Sequence, residues 1–291
     1  MTGIPVVLGP TAVGKSRVAF DLALTLGREI VVVDSRQVYR RLEIATNKPF
    51  PQERARVRYH GLDLADPEDG FNVHLYVEAV APLLASRPVV VEGGSNLYVD
   101  ALMDGLTLAG VPPNGARRAE LEELSTTGLA ATLEALDPAA DVDLANRRRL
   151  IRAIEVLEVA GPPLAALRKR EKPAWEAIRI GLELPRDELA ARIAERCRRQ
   201  LERGLVEETR QALEAGVAAA SQALSGTGYA EAVAFIQGRI SEPELPELMT
   251  RNNRRLAKRQ LTWLRRDTRI TWFSASPDPV PAILSYLETN P

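Results

Sequence analysis

Residues 6 to 16 constrain the fold more than any other stretch of the chain. Val6, Val7 and Leu8 form a short apolar run that leads straight into Gly9-Pro10-Thr11-Ala12-Val13-Gly14-Lys15-Ser16. That string fits the pattern G-x-x-x-x-G-K-[ST], in which glycines let backbone N–H groups converge on a phosphate, a lysine neutralises charge and a hydroxyl can hold Mg2+. Helical spacing follows at Val18, Leu22, Leu24 and Leu26, so the positive end of a helix points at the same spot. A second apolar run, Glu29 to Val33, ends at Asp34-Ser35-Arg36. Strand, loop, helix and strand in this order, with strands apolar along their length, predict a parallel sheet buried on both faces. The expected fold class is α/β, a P-loop NTPase-like parallel sheet flanked by helices, holding a di- or triphosphate at the carboxyl ends of its strands. Asp34, just past the second strand, should face that phosphate. The plainer alternative is an aspartate that only caps a turn.

Further along, residues 40 to 70 read as substrate-lining loops and short elements, with Tyr59-His60-Gly61-Leu62 a brief apolar interruption. Asn72 to Ser86 has amphipathic spacing, and Pro88 to Glu92 is another buried strand, ending in Gly93-Gly94-Ser95 where backbone can approach a ligand. A helix starts at Asn96. From 111 to 146 a proline-bearing linker and two short helical stretches predict a small helical insertion, dividing a core of 1–110 and 147–291. Asn146 to Ala160 is a helix with apolar positions Leu150, Ile151, Ile154 and Leu157. Its arginines stand at the amino end, where the macrodipole disfavours them, which points to an anionic ligand nearby. Ala177 to Leu184 is a strand, Asp187 to Arg266 is mostly helical with Met249, Leu256 and Trp263 as a core stripe, and Ile270 to Phe273 is a terminal strand.

Composition removes several classes. The single cysteine, Cys197, excludes an internal disulfide and a multi-cysteine zinc site, and is expected to be a small buried apolar residue. His60 and His74 lie too far apart in sequence to suggest a metal pair and read as structural or substrate-neighbouring, so no metal cage built from side chains alone is expected. No apolar run reaches the roughly 18 residues of a membrane span and no signal peptide is read, which predicts a cytoplasmic monomer with no membrane contact. A net charge of −1 argues against a nucleic-acid partner until the cations are mapped. They bunch at Arg147-Arg148-Arg149, at Arg196, Arg198, Arg199 and Arg203, and from Arg251 to Arg266, where no acid intervenes. The second bunch has Glu195 and Glu202 at hand for pairing; the third has no such partner nearby in sequence.

A phosphate loop of this type fits a small-molecule kinase, in which Asp34 would handle the acceptor hydroxyl and Glu92 the Mg2+. No arginine-bearing lid or base-reading motif supports that reading. Six strings in order resemble instead the tRNA dimethylallyltransferase family: the loop itself, Asp34-Ser35-Arg36-Gln37-Val38-Tyr39, Gly93-Gly94-Ser95-Asn96-Leu97-Tyr98, Arg152-Ala153-Ile154-Glu155-Val156, Gly228-Tyr229 and Ala257-Lys258-Arg259-Gln260-Leu261-Thr262-Trp263. The resemblance implies transfer of a dimethylallyl group from dimethylallyl diphosphate to the exocyclic amine of an adenosine beside the tRNA anticodon, with Mg2+. Gly9 to Ser16 would hold the donor diphosphate, with Thr11 and Lys15 catalytic together with Asp34, and Ser16 would take the metal. Asp34 would accept the amine proton, and Ser35, Arg36 and Gln37 would line the flipped base. The tRNA anticodon stem-loop would be contacted through Ser95, through Arg117 in the insertion, and through Arg148, Arg149, Leu150, Ile151 and Arg152. Three positions depart from the family pattern: Glu92 where an aliphatic residue is usual, Asn96 where glycine is common, and Ser225 where glutamine or arginine often precedes Gly-Tyr. An adenylate isopentenyltransferase acting on free AMP is the rival within the same chemistry, and it would need neither the insertion nor the basic helix.

Overall fold

The structure, a computed structural model, describes residues 3–107, 109–112, 114–167 and 169–290. The chain divides into two compact units, Met1–Met103 with Ala174–Pro291, and Asp104–Pro173 between them in sequence. In chain order the first segment carries β1 (Ile4–Leu8), α1 (Lys15–Leu26), β2 (Glu29–Val33), α2 (Pro51–Arg54), β3 (Tyr59–His60), α3 (Val73–Ser86), β4 (Val89–Gly93) and α4 (Asn96–Asp104). The smaller unit follows with β5 (Leu106–Thr107), α5 (Gly115–Glu123), α6 (Thr126–Leu136), α7 (Arg147–Ala160) and β6 (Lys169–Arg170). The larger unit resumes with β7 (Ala177–Glu183), α8 (Arg186–Glu202), α9 (Leu205–Glu214), α10 (Tyr229–Ile236), α11 (Glu244–Leu264), β8 (Thr271–Ser274) and α12 (Val280–Thr289).

Six parallel strands form the sheet of the larger unit, in the order β3-β2-β4-β1-β7-β8. β1 is buried at every residue, as its sequence Ile-Pro-Val-Val-Leu requires of a strand covered on both faces. It lies between β4 and β7, with Val7 opposite Glu92 on one side and Ile180 on the other. The chain leaves β1 for β2 and returns to place β4 between them, so the loop after β1 opens into the crevice that such a reversal creates at the carboxyl ends of the strands. The α/β, parallel-sheet expectation therefore describes this unit. Two details differ. Tyr59 and His60 form the edge strand β3, where His60 Nε2 sits 2.6 Å from Glu29 Oε2. The chain also continues past its last strand into α12, which packs on α1. Its prolines fall at the helix start, where no N–H is needed.

The smaller unit is wider than the expected 111–146 insertion, because α7 belongs to it. Leu150, Ile151, Ile154 and Leu157 of α7 share a core with Leu121, Leu129 and Leu133 of α5 and α6. Leu150 and Ile151, expected on a tRNA-facing stretch, are thus core residues whose side chains offer nothing to a ligand. Each helix is capped by a polar side chain, Asn114, Ser125 and Asn146 accepting from the backbone N–H three residues on. Glu155, only 2% exposed, accepts from Arg118, from Arg152 and from the backbone N–H of Asn114. Burial works to raise its pKa, and those hydrogen bonds reverse the effect and hold it below the usual carboxylate range. Arg147 donates to the carbonyls of Leu124 and Glu122 at the end of α5, so it has found protein partners for its position at a helix start.

The stripe on α11 also differs from expectation. Its buried residues are Leu245, Met249, Asn253, Ala257, Gln260 and Leu264, while Leu256 and Trp263 are half-buried on its flank. Two of the buried residues are polar, and both line the site described next.

Candidate active site

A cavity of about 580 Å3 opens at the carboxyl ends of β1, β2 and β4. Thr11, Lys15 and Ser16 of the loop 9–16 line it. Gly9 and Gly14 take positive φ, 155° and 108°, and a Cβ at Gly9 would stand 2.9 Å from the carbonyl oxygen of Leu182. Ala12 joins them with φ of 65°. Gly14 is the N-cap of α1 and offers no side-chain cap, so the first N–H groups of the helix remain free for an anion. The Lys15 ammonium donates to the carbonyl of Pro10 at 2.8 Å. Burial lowers its pKa to about 8 against the opposing pull of Glu92. Glu92 itself, at the end of β4, is pushed up to about 6 by burial, with a hydrogen bond from Ser16 acting in the other direction.

The wall beside the loop comes from β2. Asp34 Oδ1 accepts from the backbone N–H groups of Arg36 at 2.7 Å and Gln37 at 3.2 Å, so the capping role exists. One oxygen does that work, and Oδ2 has no partner among the described residues. The Ser95 hydroxyl accepts from the Ser35 backbone N–H at 2.9 Å and lies 3.2 Å from the Ser35 hydroxyl, tying the end of β4 to the end of β2. Arg36 donates to the carbonyl of Gln222. Gln37 is 8% exposed, and its Oε1 has no hydrogen-bond partner among the described residues. Ala45, Thr46 and Asn47 line the cavity from a segment pinned by buried polar contacts. Glu208 accepts from the N–H groups of Glu43 and Ile44, Gln200 donates to the Ala45 carbonyl at 3.1 Å, and the buried Lys48 ammonium holds Glu43 and Asp63.

Two side chains that stood in the sequence only as members of a basic bunch and of a motif, with no place at the site, complete it. Gln260 of α11 accepts from the Thr11 N–H at 2.8 Å and donates to the Gly94 carbonyl at 2.7 Å, clamping the phosphate loop to the end of β4. Arg196 of α8 donates to the Thr11 hydroxyl at 3.2 Å and to the Ala45 carbonyl at 3.4 Å, and its Nε is buried without a partner among the described residues. The signal was periodicity: Gln260 falls on the buried stripe of α11, and Arg192 and Arg196 flank the buried residues Ile193 and Cys197 of α8.

The second basic bunch therefore splits. Arg198 and Arg199 are exposed and paired with Glu195 and Glu202, a solvated face, whereas Arg196 turns into the cavity. The third stays unpaired: Arg251, Arg254, Arg255, Lys258, Arg259 and Arg266 are exposed and close no ion pair among the described residues, and Arg265 alone approaches a carboxylate, Glu183 at 3.9 Å. Of the residues expected at the site, Thr11, Lys15, Ser16, Asp34, Ser35, Arg36, Gln37 and Ser95 line this one cavity. Arg117, Arg148, Arg149 and Arg152 belong to the smaller unit. There Arg148 and Arg149 are exposed, Arg117 is paired with Glu158 and Glu120, and Arg152 with Glu155. No helix among the described residues is long and apolar enough to cross a membrane.

The sequence profile of IPP transferases matches residues 37–267. A tRNA dimethylallyltransferase of Thermomicrobium roseum is 40% identical over 94% of this chain and 87% of its own length. One from Geobacter sulfurreducens is 38% identical over 97% and 96%. Among solved structures, the full-length tRNA isopentenylpyrophosphate transferase of Bacillus halodurans superposes with a TM-score of 0.74 at 30% identity, covering 99% of this chain and 96% of that one. A eukaryotic dimethylallyltransferase acting on tRNA, at 22% identity, shares the fold with a TM-score of 0.78 over 100% of this chain and 76% of its own. Similarity that runs the length of the chain in sequence and in fold leaves one assignment: the chain belongs to the tRNA dimethylallyltransferase, or IPP transferase, family.

Proposed function

We propose that the chain transfers the dimethylallyl group of dimethylallyl diphosphate to the exocyclic N6 amine of the adenosine 3′-adjacent to the anticodon in tRNA. The observation that carries the reading is that one cavity joins a phosphate-binding loop to a strand-end carboxylate with a free oxygen. The diphosphate is taken by the free N–H groups at the start of α1, by the Thr11 hydroxyl and Lys15, and by Arg196, whose guanidinium already rests on Thr11. In the reaction the bond between the allylic carbon and the diphosphate oxygen breaks, a carbon–nitrogen bond forms at N6, and the amine proton passes to Asp34. Only Oδ2 can receive it, since Oδ1 is committed to the turn that aims Arg36 and Gln37. The adenine amine is a weak nucleophile, because its lone pair is delocalised into the ring, so stabilising the leaving diphosphate is the larger contribution.

The base must leave the anticodon-loop stack to reach Asp34, at a cost of a few kcal/mol that contacts to the tRNA backbone offset. Ser35 and Gln37 border the space it would enter, and the unsatisfied Gln37 Oε1 is an acceptor suited to an amine. Ser16 and the carboxylate beside it are hard oxygen donors, which fits Mg2+. Bound there, Mg2+ would neutralise the diphosphate and make it a better leaving group. The unpaired cations of α11 favour tRNA over free AMP as acceptor, since a mononucleotide needs no such stripe. Arg148 and Arg149 are proposed as further backbone contacts. Incubating the full chain with labelled dimethylallyl diphosphate and either bulk tRNA or AMP tests the reading. Label in tRNA and none in AMP is expected; label in AMP alone would replace it with the mononucleotide reaction.

A further inference from the structure

Burial leads one to expect an aliphatic residue at the end of β4. Val89, Val90 and Val91 precede Glu92, and its partners in register are Val7 of β1 and Val32 of β2. A carboxylate stands there instead, 4% exposed, at the wall of the cavity. Ser16 of the phosphate loop lines the same cavity. Glu92 closes no ion pair among the described residues, and the Lys15 ammonium beside it donates to the Pro10 carbonyl. A buried carboxylate of this kind, with lone pairs left over, is held in place by a ligand or by the field of its neighbours.

We propose that Glu92 and Ser16 together hold the divalent cation, with Glu92 supplying a direct carboxylate ligand from β4 and the donor diphosphate and water completing the shell. This deepens the function proposed above and rests on its reading of the loop as a diphosphate site. Three points support it. Mg2+ and Mn2+ take oxygen ligands, commonly one or two carboxylates with phosphate oxygens and water. Phosphate loops pair their hydroxyl with an acid on a neighbouring strand, and β4 is hydrogen-bonded to β1, the strand that feeds the loop. The cavity's charge also needs it. Lys15, Arg36, Arg196 and Arg259 stand against Asp34 and Glu92. That surplus is smaller than the charge of an ionised diphosphate ester, and Ser225 brings a hydroxyl to the wall where a cation would have added to it.

The test is Mn2+ binding to the full chain in the presence of inorganic pyrophosphate, followed by electron paramagnetic resonance, for the parent, Glu92→Gln and Glu92→Val. Both variants should lose at least ten-fold in Mn2+ affinity, while both bind pyrophosphate more tightly than the parent when no metal is present. Glu92→Gln keeps the shape and Glu92→Val suits the valines around it, so the two substitutions load the fold differently, and thermal melts identify which variant is folded. Mn2+ affinity within two-fold of the parent in a folded variant overturns the assignment and leaves Glu92 as the counter-charge of Lys15. Prenyl transfer by the parent is measured alongside. Transfer to tRNA with unchanged Mn2+ affinity removes only the cation assignment, whereas lost Mn2+ affinity without transfer to tRNA keeps the cation site and removes the proposed function.

Discussion

Gln260 makes a quantitative prediction because its two hydrogen bonds tie the N–H of Thr11 in the phosphate loop to the carbonyl of Gly94 just past β4. Gln260→Ala leaves the Thr11 N–H and the Gly94 carbonyl without partners. An unsatisfied buried polar group costs about 1–3 kcal/mol. Both groups border an open cavity, so water can reach them and the low end applies, about 2 kcal/mol for the pair. If that loss falls on the arrangement of the loop that receives phosphate, it weakens donor binding by about 30-fold, at roughly 1.4 kcal/mol per factor of ten. Gln260→Glu separates geometry from packing. Its carboxylate can still accept from Thr11 but faces the Gly94 carbonyl with a second acceptor, so affinity should fall although the side chain keeps its size. Calorimetric titration with dimethylallyl diphosphate reads both variants, and thermal unfolding verifies that α11 stays folded. Donor affinity within two-fold of the parent in a folded Gln260→Ala would refute the clamp.

Three further outcomes follow from the same geometry. Asp34→Asn keeps an oxygen for the N–H groups of Arg36 and Gln37 but cannot take a proton, so single-turnover prenyl transfer should fall 10²-fold or more with donor affinity unchanged; a rate within three-fold of the parent rules out the base. Neutralising Arg254, Arg255 and Lys258 together should flatten the dependence of tRNA affinity on salt by about the three contacts removed, measured by filter retention, and an identical slope would take α11 out of the tRNA surface. In the smaller unit, Glu155 has its pKa held down in the folded state, so the stability it provides is present above the ordinary carboxylate range and is lost as pH falls through the depressed value. The protection factors of α5, α6 and α7, taken relative to the intrinsic exchange rate at each pH, should fall in acid, and Glu155→Gln should remove that dependence while costing about 3 kcal/mol at neutral pH.

What could be read in the sequence is what neighbouring residues decide among themselves. β1, the loop, α1 and β2 were legible because each is specified within a dozen residues by apolar runs, glycines and a lysine. Asp34 and Gly93-Gly94-Ser95 were legible as strand ends, which the parallel sheet brings together, while Ser35, Arg36 and Gln37 were given a place at the site only by the family resemblance. The extent of the smaller unit was not legible, because nothing in α7 states that the partners of Leu150 and Ile151 are Leu121 and Leu129 rather than the sheet. The split between Arg196 and its neighbours was latent in helical spacing and went unread, since Arg198 and Arg199 stand three and four residues from Glu195, where side chains meet, and Arg196 only one.

The string Ala257-Lys258-Arg259-Gln260-Leu261-Thr262-Trp263 shows how a signature can be visible before its cause is. At 3.6 residues per turn its members cannot share one task. Ala257 and Gln260 lie on the buried stripe, and the small size of the first keeps that face close while the amide of the second reaches the loop and β4. A side chain at Gly94 would press on that amide, its Cβ only 3.2 Å from Nε2, so the glycine at the end of β4 and the glutamine of α11 belong to one device although 166 positions separate them. Lys258 lies on the opposite face, exposed and unpaired, and Arg259 is exposed as well but also reaches the cavity wall. Leu256, half-buried, fills the same wall. One helix thus contributes to the cavity with one face and displays cations with the other. The consequence can be measured: substitutions of Gln260 should act on donor affinity and leave the salt slope of tRNA binding alone, and substitutions of Lys258 should do the reverse. If both substitutions changed both quantities alike, the two faces of α11 would have to be treated as a single surface.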